Sequence, residues 1–281
     1  FPTRRSSDLT KAAAPAKKST GTVGVKNAIW ILVVCCIIAY CIYFFVFGDP
    51  SHFVNGDPKG HPIPGDMLGI VYKGGYVVGL IITLLLSVIA LTFERLLAQR
   101  VSFGTMPLSK FTAEVKVLIK AGKFDEANAL CDKMKGSVAN VVKASINAYK
   151  EAESNNTMKK AQKIAKIQQA HEEATQLEMP TLQMNLPIIA TIVTLGTLTA
   201  LFGTVLGMIS SFSALSSSGG ADSAALSAGI SEALVNTASG ILTSWVAVVS
   251  YNFLTNRIDK LTYALDEVGY TIATTYDVNH T

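Results

Sequence analysis

The sequence predicts an all-α, integral membrane helical protein with four transmembrane helices and long helices extending into the cytosol. Three observations carry this prediction. First, four stretches of the 281-residue chain, 28–47, 74–93, 185–212 and 230–251, are apolar over a length that crosses a bilayer. Second, residues 94–184 are polar and hold 14 of the 24 lysines and arginines, the bias that keeps a segment on the cytosolic side. Third, that polar region repeats apolar residues at helical spacing.

Taken in order, residues 1–9 (FPTRRSSDL) read as a translated sequencing adapter and are set aside from fold reasoning. Residues 10–27 form a flexible basic tail carrying Lys11, Lys17, Lys18 and Lys26. The run 28–47 is read as an extra N-terminal transmembrane helix. A secretory signal is the rival reading, against which stand the length of the run and the absence of a small-residue cleavage site. Residues 48–73, rich in Gly, Pro, Asp and His, form a periplasmic loop, and 74–93 form the second span, ended by Glu94 and Arg95.

In the cytosolic region, 94–184, three amphipathic segments follow one another. Phe111, Val115, Leu118 and Ile119 mark the first; 124–134 is the second; Val138, Val141, Val142, Ile146 and Tyr149 mark the third. Gly122 and Gly136 punctuate them. Residues 157–176 predict a helix feeding the third span, with Pro180 and Pro187 as kinks. Residues 185–212 are the third span, 213–229 a periplasmic turn in which Asp222 or Ser223 caps the next helix, and 230–251 the fourth span. Residues 252–281 form a cytosolic tail with helical periodicity through Ile258, Leu261, Leu265 and Val268. Both termini then lie in the cytosol.

Composition excludes several classes. A formal charge of +4, spread along the chain, leaves no nucleic-acid footprint. Four cysteines without CxxC or zinc spacing are read as packing residues. His52 and His61 with Asp49 and Asp57 match no ligand pattern, so neither metal nor cofactor is expected. The polar region carries no nucleophile–base pair, phosphate loop or metal cluster, so no enzyme is expected.

The last two spans differ from plain anchors. Gly196, Ala200, Gly203 and Gly207 recur every three or four residues in one; Gly229, Ala233 and Gly240 recur in the other. Small residues at this spacing let helix backbones approach closely in lipid, where the hydrophobic drive between helices is absent. Thr191, Thr194, Thr197 and Thr204 add hydroxyls to a neighbouring face of the third span. One reading has each bonded to its own i−4 carbonyl; the other has them forming a polar seam.

Glu232 is the sole ionisable residue in these two spans, near the outer end of the fourth. It is either functional or an interfacial carboxylate stabilised by a helix N-terminus. On one helix Glu232 and Asn236 share a face, whereas Thr237 is rotated roughly 140° from Glu232. With no titratable group at mid-membrane in either helix, a proton crossing here needs a carrier from another chain.

Two blocks carry a family resemblance: LFGTVLGMISSF at 201–212, and AGISEALVNTASG at 228–240 followed by Tyr251-Asn252. In these the chain resembles the MotA/TolQ/ExbB proton-channel family, and the ExbB and TolQ branches most, over 74–276. The resemblance implies a homo-oligomer, a pentamer, surrounding the helices of a single-span ExbD- or TolR-type partner that brings the proton-accepting Asp. It further implies that proton motive force is passed to a TonB- or TolA-type protein, in the bacterial inner membrane. Residue by residue, Thr204 and Thr237 match the family's pore threonines and Glu232 its glutamate; Asn236 and Thr197 complete the expected pore-lining set. Thr197 and Ala200 replace the Pro and Gly frequent in the family, Asn236 stands where a small or apolar residue is commoner, and the span at 28–47 is additional. The functions in contention are an ExbB-like subunit energising TonB-dependent transport across the outer membrane, a TolQ-like subunit of the Tol-Pal system, and a non-conducting membrane scaffold. A flagellar stator is disfavoured because the cytosolic region lacks a charged motor-contact run.

Overall fold

The computed structural model describes residues 28–58, 60, 62–217 and 223–280. The expected adapter and basic tail, His61 and Asp222 lie outside the described residues. Among the described residues nine α-helices follow in order: α1 Ala28–Cys41, α2 Met67–Tyr72, α3 Gly75–Phe103, α4 Leu108–Lys120, α5 Phe124–Met134, α6 Ser137–Ser154, α7 Lys160–Gln183, α8 Leu186–Ser217 and α9 Ser223–Asn279. A π-helical turn, Ile42–Phe47, continues α1. No strand occurs among the described residues. Four helical stretches are long and apolar enough to cross a membrane: Ala28–Phe47, Gly75–Lys120, Leu186–Ser217 and Leu226–Asn279. The chain is an all-α membrane protein.

The helices gather into an apolar part and a polar part, joined by the continuous helix α9. In the apolar part, α3 packs against α8 and α9, and α1 lies on the outside of α3. The buried face of α1 is narrow, made by Ala28, Cys35, Ala39 and Tyr43. Trp30 and Phe45 are among the large apolar side chains exposed on its outer face, which suit lipid. Of the cysteines expected to pack, Cys35 and Cys131 are buried, but Cys41 is exposed because it sits on that outer face.

In the polar part, α4–α7 gather around the far half of α9. Here α9 buries Leu254, Ile258, Leu261, Leu265, Val268, Ile272 and Tyr276, steps of three and four that keep one stripe turned inward. Phe111, Val115 and Ile119 of α4 meet it, with Val138, Val142, Ile146 and Tyr149 of α6. The helices break where the chain takes a left-handed backbone, at Gly122 (φ 71°) and Gly136 (φ 87°). Burial in this core pushes the Cys131 thiol up to about 12.

Two boundaries depart from expectation. The turn read at 213–229 is mostly helix, because α8 continues to Ser217 and α9 starts at Ser223. The tail read at 252–281 is no separate element: it continues the fourth span within one 57-residue helix, α9. No proline interrupts that helix, and its inward stripe carries on through the polar part.

A polar clamp joins the two parts. The helical path from α7 to α8 stops at Asn185 (φ 65°), while Pro180 lies inside α7 and Pro187 in the first turn of α8. The last carbonyls of α7 therefore lack helical donors. Arg95, fully buried on α3, donates from Nη1 to the Thr181 carbonyl at 3.4 Å. Its Nε also donates to Glu94 Oε2 at 2.5 Å, and Nη2 donates to Glu94 Oε1. Asn185 Nδ2 donates to Glu94 Oε2 at 3.3 Å. On α9, Arg257 stacks over the Phe103 ring at 5.1 Å, and Leu254 accepts from Gln99 of α3 at 3.3 Å.

Removing one partner of a buried pair leaves the other uncompensated. Arg95→Ala is expected to cost about 3–5 kcal/mol of stability, and Arg95→Met paired with Glu94→Gln to recover part of that loss. Thermal melts of the purified variants in detergent check both expectations.

Candidate functional site in the paired helices

The site is built on the seam between α8 and α9. Gly196, Ala200, Gly203, Gly207 and Ser211 form the buried face of α8; Gly229, Ala233, Asn236, Gly240 and Ser244 face it from α9. The approach is close enough to exclude a side chain. A Cβ on Gly240 would stand 2.2 Å from Ala200 Cβ and 2.7 Å from the Gly196 carbonyl. One on Gly207 would stand 3.0 Å from the Gly229 carbonyl. All seven small residues expected at this contact lie buried in it.

Close packing brings two hydroxyls together. Thr204 Oγ1 of α8 and Thr237 Oγ1 of α9 are 2.7 Å apart. Thr204 also donates to its own i−4 carbonyl, Ala200, at 2.9 Å, and reaches the Ala233 carbonyl at 3.4 Å. Thr237 donates to Ala233 at 3.1 Å. The two hydroxyls thus hold two protons facing two carbonyls and each other's oxygen. Either hydroxyl can be the donor across the seam, so the pair can reverse its direction without breaking the packing. Both readings of these threonines hold at once, since Thr204 satisfies its own helix and also bridges to the next.

The other expected residues divide into two places. Thr197 sits two turns from Thr204 on the same side of α8 and donates to the Thr194 carbonyl at 2.9 Å. It does not join the pair. Glu232 faces α3, whereas Asn236 packs on α8. A Cβ on Gly75, the first residue of α3, would stand 2.5 Å from Glu232 Oε1. Asn236 is fully buried with its amide flat against Gly203, where a Cβ would stand 2.7 Å from Asn236 Cγ and 2.8 Å from Val77 of α3. Its Oδ1 and Nδ2 bond to no group of the protein. The 140° offset between Glu232 and Thr237 therefore corresponds to two neighbours, α3 for the first and α8 for the second.

Lys73, at the end of α2, shares the Glu232 environment. Burial pulls its ammonium below the usual lysine value, against the opposing pull of Asp57 and Glu232. Sequence reasoning missed this basic neighbour and the α3 wall at Gly75 and Val77, because both depend on long-range packing. It also took Glu94 and Arg95 as a span end rather than a clamp; two adjacent charges at that boundary were the available signal.

No group of three His, Cys, Asp or Glu among the described residues stands close enough to hold a metal ion. In the loop, His52 Nδ1 pairs with Asp66 Oδ2 at 2.7 Å, and Asp49 accepts from the Ser51 amide at 2.8 Å.

Two outcomes follow for the seam. Gly240→Ala forces the backbones apart and is expected to cost about 1–3 kcal/mol in thermal melts. Thr204→Val and Thr237→Val are expected to be non-additive, with a coupling of about 0.5–1.7 kcal/mol in a double-mutant cycle.

Comparison with known proteins places this geometry. Residues 135–267, which include α6 through most of α9, match the MotA/TolQ/ExbB proton channel family. An ExbB-like protein of Synechocystis sp. is 39% identical over 85 residues, 30% of this chain and 40% of the relative. The Tol-Pal system protein TolQ of Haemophilus influenzae is 36% identical over 84 residues, 30% of this chain and 37% of the relative. TolQ of Pseudomonas aeruginosa is 35% identical over 95 residues, 34% of this chain and 41% of the relative. The chain thus spans about two fifths of the length of these relatives. Its Thr204–Thr237 seam lies wholly inside residues 135–267, the part of the chain that is similar to the MotA/TolQ/ExbB proton channel family.

Proposed function

We propose that this chain is an ExbB-like subunit of a proton channel that works with an ExbD-type single-span partner. In this reading it uses the proton motive force to energise TonB-dependent transport across the outer membrane. The observation that carries the proposal is the Thr204–Thr237 hydroxyl pair at 2.7 Å, set in a seam whose two spans hold no titratable group except Glu232. Hydroxyls accept and donate without titrating at physiological pH, so they line a path but do not store its proton. The storing group is then the carboxylate of the partner, an Asp on its single span. Glu232, beside Lys73 and Gly75 near the loop end, stands where a proton from that side first meets the protein.

Several features support the wider reading. The outward faces of α8 and α9 expose Leu198, Leu201, Val205, Leu234, Ile241 and Trp245, apolar surface for lipid and for further copies of the chain in a pentamer. The cationic helical part is assigned to the cytosol, with both termini there and the chain in the bacterial inner membrane. The role is transport and force transmission rather than covalent catalysis, and it calls for no cofactor. A TolQ-like role in the Tol-Pal system, through a TolR- and TolA-type partnership, is the second reading, favoured by the two relatives named TolQ.

Proton flux into liposomes, with the chain alone and with its one-span partner, tests the proposal. Flux is expected only with the partner, and is expected to disappear when the partner's Asp is replaced. Thr204→Ala or Thr237→Ala should leave the complex intact and reduce flux. Absence of flux from a demonstrably intact complex would support the non-conducting scaffold, and undiminished flux in both threonine variants would remove the pore assignment.

A further inference from the structure

One titratable side chain of the helical part belongs to no feature described so far. His171 of α7 is buried where α6, α7 and α9 meet. Its Nδ1 lies 2.9 Å from Ser145 Oγ of α6, and Ser145 Oγ lies 2.9 Å from the Val141 carbonyl. Ser145 has one hydroxyl proton. If it goes to Val141, the Ser145 oxygen accepts from a proton on His171 Nδ1, and every donor is satisfied. The opposite assignment places a proton on Nε2, which is buried without a hydrogen-bond partner. The structure therefore assigns the neutral Nδ1–H tautomer, with Nε2 as a bare lone pair.

That lone pair faces α9 at a point of close contact. A Cβ on Gly269 would stand 2.6 Å from both Nε2 and Cδ2, so the ring edge rests on the Gly269 backbone. A second ring proton would point at this surface with no acceptor, and a buried donor left unpaired is costly. The charged groups acting on the ring are Asp266 of α9 and Glu172 of α7; α6 presents the Ser145 hydroxyl. Both carboxylates favour the charged ring, but burial is the larger effect and holds His171 below the usual histidine value.

We propose that His171 is an acid-sensitive latch whose protonation loosens α7 from α9. A base with a lowered folded-state value contributes stability that is fully present above its unfolded value, about 6.5, and is lost as pH falls below that toward the folded value. The latch is placed to be felt at the seam. Beyond Asn185, α7 leads into α8, which carries Thr204. The same α9 carries Gly269 and Thr237, about 48 Å apart along the helix axis. The latch stands on the helical part alone; its effect on conduction rests on the proton-channel reading above. In that reading, acid accumulating on the receiving side weakens the support of the helices that conduct.

The test uses the full chain in detergent between about pH 7.5 and 5.0. Protection of α7 amides, taken relative to the intrinsic exchange rate at each pH, is expected to fall with acid about tenfold more in the wild type than in His171→Asn, which keeps a donor toward Ser145 and cannot titrate. Parallel pH dependence in the two proteins would overturn the latch. Should the variant not fold, nitrogen NMR of histidine-labelled wild type decides. The expected result is a neutral Nδ1–H ring at His171 that charges below the usual histidine value, together with lower α7 protection relative to the intrinsic exchange rate at each pH. Charging at the ordinary value without that change in exchange would overturn the latch. With the partner in liposomes, flux is expected to fall on acidifying the helical-domain side, and to fall less in His171→Asn. Loss of flux at every pH with the exchange difference intact would reject the channel reading and keep the latch.

Discussion

The close backbone contact between α8 and α9 is the constraint on which the rest of the site depends. In lipid, two helices gain no hydrophobic stabilisation by meeting, so contact must come from packing and hydrogen bonds. Gly196, Gly203, Gly207, Gly229 and Gly240 make that packing possible by removing side chains from the path of approach. At wider separation Thr204 and Thr237 would each fall back on their own helix, with carbonyl bonds at 2.9 and 3.1 Å, and the link across the seam would be lost. The polar contact is thus a consequence of the small-residue contact.

The seam is also supported from outside itself. Its two helices are continuous, or nearly so, with the helical part: α9 runs through without a break, and α8 follows α7 after the interruption at Asn185. At that interruption Arg95 of α3 satisfies the Thr181 carbonyl, which a straight helix would have satisfied internally, and Glu94 accepts from the Asn185 side chain. The third helix acts at both ends of the apolar part. Its first turn lies against Glu232, and its last turns hold the α7–α8 junction and the Leu254 carbonyl. The additional helix α1 packs chiefly on α3, on the outside of the bundle.

The readable parts of this chain were those set by local pattern. The apolar runs, the three- and four-residue recurrence of small residues and the heptad-like stripe through Leu261, Leu265 and Val268 are all properties of one helix at a time. The unreadable parts were partner choices. Asn236 and Thr237 are adjacent in sequence, yet one packs under Gly203 beside Val77 and the other meets Thr204. Rotation about a helix said that they diverge; which helix stands on each side depends on how three helices assemble. Arg95 was likewise visible as a charge at a span end, but its carbonyl partner is 86 residues away.

By itself the sequence determined the all-α membrane class, the small-residue faces and the family resemblance, because hydrophobic period and side-chain size act at short range and leave their mark in consecutive residues. Only the tertiary structure decided that Thr204 and Thr237 share a hydrogen bond, that Glu232 turns to α3 while Asn236 packs against Gly203, and that His171 is sealed against Gly269. The physical reason is that each of these rests on distances between separate helices, and such distances follow from the packing of the whole chain.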